Sequence, residues 1–297
     1  AGYNYGIKRY RHDLKKYPKR MILGSETFCA DAYQFMQEAK RDKRIIGDFV
    51  WAAQDYLGEV GIGAWEYKDY APRFDGGCGW VSAGSGRIDL TGKPLGEMTY
   101  TRVAFELEDL AIAVVPVDHT KDAHSPSAWK MTNAMESWSW DGCEGKAAKV
   151  EVYTRADHVK LYINGECVGT KKPKNDCKVF FDTTYHNGEI KAVAFDANDN
   201  VIAEKTLATA GKETVLRAEP ELTRVNADTD LCYVRMRYTD ENGETKPLTR
   251  GRIKLEVEGG DLLAFGSACP YYPESYQSAE TDPYYGEALA IIRPQSG

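Results

Sequence analysis

The hydrophobic rhythm of the chain changes along its length. From residue 1 to about 115, apolar residues come in short continuous runs, "MIL" within "RMILGSETF" and "RIIGDFVWAA", with the segment "ADAYQFMQEAKRDK" between them. Continuous runs are expected of strands covered on both faces. In the intervening segment Tyr33, Met36 and the stem of Lys40 recur at helical spacing, which predicts a helix with that side turned inward. Strand, helix, strand is the order of a βαβ unit in a parallel sheet. A long Gly- and Tyr-rich stretch follows, "LGEVGIGAWEYKDYAPRFDGGCGWVSAGSG", of a length that is usually functional or disordered. Pro94 then predicts the start of a further helix in "KPLGEMTYTRVAFELEDL".

From about 116 the period becomes 2. "KVEVYT", "HVKLYING", "CKVFFDTTY" and "EIKAVAFDANDNVIAEKTL" alternate apolar and polar positions, and Asn164-Gly165 is a strong hairpin-turn signal. This predicts an all-β sandwich over residues 116–212, ending near "ATAGKE". From 213 the same style returns in "LCYVRMRYTDENGETKPL" and "GRIKLEVEGGDLLAFGS", which predicts a second, truncated sandwich over 213–297. The last residues, "ALAIIRPQSG", stop just after an apolar run, and with Ala1 in first place they suggest a piece of a longer chain.

Composition narrows the function classes. The chain has 297 residues, enough for two or three domains, with 42% apolar and 28% charged residues. No window approaches the ~18 continuous apolar residues of a membrane span. The net charge is −7 and the basic residues are scattered, which argues against nucleic acid and for a neutral ligand. The seven cysteines form no CxxC or Cys/His cluster, and the five histidines show no ligand spacing, so no metal site or cofactor is expected. Unpaired thiols lean toward a reducing, cytoplasmic compartment. Oligomeric state, including a homo-oligomer, is left open.

Candidate chemistry gathers at the ends of the first strands. Glu26 follows "MIL" by a small "GS". It either complements the positive end of the next helix or faces the open mouth of a sheet whose strand ends carry catalytic groups. The residues alone leave both open. Trp51, closing the next run, is either core filler or a platform for the apolar face of a sugar ring. Asn4, Tyr5 and Asp55 add polar groups to the same rim. The "WSW" of 138–140 is expected to pack a sandwich core, and the tyrosines of "CPYYPESYQSAETDPYYGE" either form an exposed patch or lean on the first region.

These residues carry a resemblance. "AGYNYGIKRY", "YPKRMILGSETF", "RIIGDFVWAAQDYLGEVGIG" and "GRIDLTGKPLGEMTYTR" resemble the C-terminal part of the catalytic (β/α)8 TIM barrel of glycoside hydrolase family 2, the β-galactosidase type. "SWSWDGCEGKAAKVEVYTRADHVKLYINGECVGT" and "FGSACPYYPESYQS" resemble the immunoglobulin-like domain and terminal sandwich that follow the barrel in one bacterial branch. The resemblance implies a multidomain α/β plus all-β chain: the end of a barrel over 1–115, then two immunoglobulin-like β-sandwiches. It implies a retaining glycosidase whose two carboxylates stand about 5–5.5 Å apart. Glu26 matches the nucleophile, Trp51 the tryptophan flooring the sugar subsite, and Tyr5 a tyrosine that hydrogen-bonds the nucleophile. The general acid/base belongs to an Asn-Glu pair expected upstream of Ala1, so this stretch alone is expected to be inactive. Typical β-galactosidases of the family carry a His where Cys29 stands, and the related branch often has Trp at Gln54. The substrate is expected to be a β-galactoside, with β-glucuronide or β-mannoside specificity as alternatives. A noncatalytic carbohydrate-binding or adhesion module is the competing class.

Overall fold

The computed structural model describes residues 1–226 and 230–295; residues 227–229 and 296–297 of the third region lie outside the described residues. The chain opens with strand β1 (Gly2–Asn4), helix α1 (Tyr10–Lys16), strand β2 (Ile22–Thr27), helix α2 (Ala32–Arg41) and strand β3 (Ile45–Val50). The strands form a parallel sheet in the order β1-β2-β3. Each helix crosses from one strand to the next, and Ile7, Tyr10, Leu14, Ile22, Phe35 and Ile45 pack between helices and sheet.

The helix expected over "ADAYQFMQEAKRDK" is present as α2, but its inward side differs from the expectation. Ala32, Phe35 and Glu38 are buried, whereas Tyr33 and Met36 are half-buried and Lys40 is exposed. The reason is Glu38. Arg11 Nε donates to both its oxygens at 2.9 Å and Arg41 Nη1 at 3.0 Å, so a carboxylate sits inside without an unpaired charge. A count of apolar positions passes over that face.

Residues 51–95 run without a helix or an extended strand. Helix α3 (Gly96–Ala104) begins two residues after Pro94, and strand β4 (Leu110–Val114) follows. β4 is buried along its whole length because it serves two cores. Leu110, Ile112 and Val114 face a sandwich interior, while Ala111 and Ala113 pack with Tyr100, Val103 and Ala104 of α3.

The sandwich adds β5 (Ala147–Thr154), β6 (His158–Ile163), β7 (Glu166–Lys171), β8 (Lys178–Thr184), β9 (Glu189–Phe195) and β10 (Val201–Ala208). Its sheets run β4-β5-β8 and β10-β9-β6-β7, all pairs antiparallel, around one core that includes Trp138 and Trp140. The β6–β7 hairpin turns on Asn164 (φ 49°) and Gly165 (φ 84°), the two left-handed residues a tight two-residue turn requires.

The last region contains β11 (Val215–Pro220), β12 (Cys232–Thr239), β13 (Ile253–Lys254), β14 (Gly260–Gly266), β15 (Glu280–Thr281) and β16 (Glu287–Pro294). The sheet β11-β12-β16-β14 and the short β13-β15 ladder enclose Met236, Ile253, Phe265, Ala288 and Ala290. Its tyrosines lean back on the long 51–95 segment. Tyr271 packs edge-on against Trp80, and the Tyr284 hydroxyl donates to Glu66, which is fully buried. The chain is mostly β-sheet with few helices.

Candidate active site

The site is built where the parallel strands end. The ladder between β2 and β3 runs from Gly24 opposite Asp48 to Thr27 opposite Val50, so β2 carries one extra residue across Ser25–Glu26. Such a bulge bends the strand and re-aims the side chains it contains. On the other edge, Asn4 of β1 stands opposite Glu26, and its Oδ1 accepts a hydrogen bond from Ser25 Oγ at 2.8 Å.

Tyr5 follows immediately with φ 52°, a left-handed conformation that is an outlier for a bulky residue. Its backbone N–H donates to the Glu26 carbonyl at 2.7 Å. Its hydroxyl accepts a 2.8 Å hydrogen bond from Trp129 Nε1 and lies close enough to the Glu26 carboxylate to feel its charge. Burial raises the pKa of Tyr5 most; the indole N–H opposes the rise, and the nearby carboxylate adds to it. The phenol therefore keeps its proton beside that carboxylate.

Trp51 stands past the end of β3, where its N–H donates to the Thr27 carbonyl at 3.0 Å. This bond ties the two strand ends and sets Trp51 beside the Glu26 position. The indole is half-buried, with Tyr56 edge-on at 6.0 Å. Asp55 lies deeper. It is buried, and its Oδ1 accepts the Gly86 N–H at 2.5 Å, so it pins the far end of the long segment. Burial pushes its pKa upward. The structure thus brings Asn4, Tyr5, Glu26 and Trp51 to one rim and turns Asp55 to loop anchoring.

Cys29 does not present a thiol to this rim. It is buried, its Sγ lies 3.7 Å from the Glu97 carbonyl, and burial pushes its pKa up to about 12. Trp129 was not singled out from the sequence. It belongs to the segment between β4 and β5, 124 residues from Tyr5, and only its isolation in the polar stretch "SPSAWKM" marks it.

Parallel strand ends that carry a carboxylate, a phenol and a half-buried indole are chemically suited to a sugar ring. Residues 216–297 match the glycoside hydrolase family 2 C-terminal domain 5, and residues 145–203 match a domain of unknown function, DUF4982. A β-galactosidase of Bacteroides ovatus, BoGH2A, is 27% identical over 252 residues, covering 84% of this chain and 25% of that protein. A β-glucuronidase of Formosa agariphila is 29% identical over 129 residues, covering 40% of this chain and 13% of that protein. The crystal structure of a glycosyl hydrolase family 2 member from Bacteroides cellulosilyticus superposes with a TM-score of 0.86 at 26% identity, over 100% of this chain and 39% of that one. Residues 216–297 thus carry a glycoside hydrolase family 2 C-terminal domain, the chain along its length is similar to a glycosidase structure of that family, and it spans about a quarter of the curated galactosidase it matches.

Proposed function

We propose that the protein is a retaining glycoside hydrolase acting on terminal β-glycosidic bonds, with Glu26 as nucleophile. In this reading residues 1–115 are the end of a (β/α)8 barrel that lends β4 to the neighbouring sheet, and residues 116–212 and 213–297 are immunoglobulin-like units. The observation that carries the reading is Glu26 at a bulged strand end, with Tyr5 hydrogen-bonded to its backbone carbonyl and Trp51 past the adjacent strand.

The Glu26 carboxylate attacks the anomeric carbon as the bond to the leaving oxygen breaks, giving a covalent glycosyl-enzyme. The leaving oxygen takes a proton from a second carboxyl group, supplied from outside residues 1–297. That group then deprotonates the water that releases the sugar. Trp51 floors the ring, Tyr5 orients the nucleophile, and Asn4 is within reach of sugar hydroxyls. The B. ovatus relative favours a β-galactoside and the F. agariphila relative a β-glucuronide; the smaller coverage of the second gives the galactoside precedence.

A 2-deoxy-2-fluoro-β-galactoside applied to the full-length enzyme is expected to label the peptide containing Glu26, read by mass spectrometry. Labelling at another carboxylate removes the assignment. The 297-residue chain by itself is expected to leave nitrophenyl-β-galactoside intact; turnover at a rate comparable with the full-length enzyme would show that no external acid is needed.

A further inference from the structure

A second pocket lies away from the Glu26 rim, where α3, the 130–137 segment and the last region meet. It has a volume of about 360 Å³, within the range of small-ligand pockets, and neither Glu26 nor Trp51 is among its walls. Tyr284 and Tyr285 supply aromatic walls, and Trp65, Glu97, Lys130 and Asn133 supply polar ones.

Two of these polar walls hold buried atoms without a hydrogen-bond or ion-pair partner among the described residues. Among the described residues Trp65 Nε1 has no hydrogen-bond acceptor and Asn133 Oδ1 no donor, whereas Glu97 Oε2 is met only by Lys130 Nζ at 3.6 Å. Glu97 is only 1% exposed. The Asn133 amide is fixed the other way round, because its Nδ2 donates to the Tyr67 hydroxyl. Glu97 Oε1 is taken by the backbone N–H groups of Met131 and Thr132 at 3.1 and 3.2 Å. One donor and one acceptor are thereby left without partners on residues that line a space bounded by aromatic rings. Buried polar atoms left without partners are unfavourable, so such a set favours a ligand that both donates and accepts.

Charge narrows the ligand class. Lys93 is already on Glu287 at 2.5 Å, Arg102 on Glu136 at 2.6 Å, and Lys130 on Glu97 at 3.6 Å. The cations of the wall are each spent on a carboxylate, and none is left for an anion. A neutral polyhydroxy compound suits the walls: hydroxyls exchange hydrogen bonds in both directions, and a ring's C–H face packs on tyrosine.

We propose that this junction pocket is a second binding site for a neutral monosaccharide, separate from the Glu26 rim. The carbohydrate class follows from the pocket walls, and the proposal does not need the catalytic reading of Glu26.

The test is calorimetric titration of D-galactose and D-glucose into the full-length protein and its variants, together with a crystal soak in the same sugars. Binding is expected to survive Glu26→Ala and Trp51→Ala and to weaken about tenfold or more in Trp65→Phe, which removes the indole N–H, and in Asn133→Leu. Density for a sugar ring against Tyr284 and Tyr285 is the expected soak result, and it holds even where a variant fails to fold. Binding abolished by Trp51→Ala alone, no saturable binding, or only water in the soaked pocket overturns the second site. The first of those outcomes leaves the Glu26 reading standing, whereas failure of fluorosugar labelling leaves the junction pocket untouched.

Discussion

Tyr5 is held in place from three directions: a left-handed backbone, an N–H on the Glu26 carbonyl, and an indole N–H on its hydroxyl. Backbone strain of this kind costs on the order of 1–3 kcal/mol and persists only where the surroundings over-determine it. Removing the hydroxyl alone tests its use. Tyr5→Phe in the full-length enzyme is expected to lower kcat/KM by about 10- to 100-fold, the range for losing a hydrogen bond to a charged group. Trp129→Phe is expected to give a smaller loss of the same kind. Steady-state kinetics check both, alongside a melting curve to show that the fold is kept; unchanged kinetics in Tyr5→Phe would remove Tyr5 from the machinery. The positions of Glu26 and Trp51 were legible because each closes an apolar run, and strand ends can be read locally. Trp129 was not, because no local pattern records a contact made across 124 residues. Asp55 illustrates the converse: its place in the sequence suggested the rim, yet the Gly86 N–H draws it inward.

At the scale of elements, alternation was the dependable signal. The strands of the central sandwich and the Asn164-Gly165 turn stand where period 2 and turn chemistry placed them. β4 was less legible, since a strand serving two cores has no polar face to alternate with. In α2 the inward side was misread because Glu38 is kept buried by Arg11 and Arg41, a pairing visible only in three dimensions. The hairpin offers a quantitative check. A Cβ at Gly165 meets no neighbouring atom, so substitution there tests the backbone alone. With φ at 84°, Gly165→Val is expected to destabilise the sandwich by about 1–2 kcal/mol, seen as a lower urea midpoint with an unchanged m-value. A midpoint equal to the parent's would mean that the turn relaxes freely.

Across the whole molecule, the long 51–95 segment and the last region are joined through Glu66. It is fully buried, accepts the Tyr284 hydroxyl, and its pKa is raised by burial from the ordinary 4.5 to about 8. Asp69 adds to the rise, while the Tyr284 hydrogen bond, Lys130 and Arg250 oppose it. In the folded protein the group therefore keeps its proton up to about pH 8, whereas the unfolded chain releases it near 4.5. The unfolded state binds fewer protons in that window, so this group's contribution is fully present below 4.5 and is lost as pH rises through about 8. Glu66→Gln is expected to flatten this decline, gaining in relative melting temperature at about pH 9 over about pH 5. Parallel pH profiles for the two proteins would show that Glu66 is not the titrating group.

The contact between Trp129 and Tyr5 bears on how such proteins diversify. Trp129 is carried on the excursion between the first two strands of the sandwich, so the tyrosine beside the proposed nucleophile is propped by the neighbouring unit. Recombination that exchanged this sandwich for another would exchange a wall of the site as well. Its units are therefore expected to be inherited together, and chimeras joined after β3 are expected to retain activity only when the incoming unit brings its own indole to the same place.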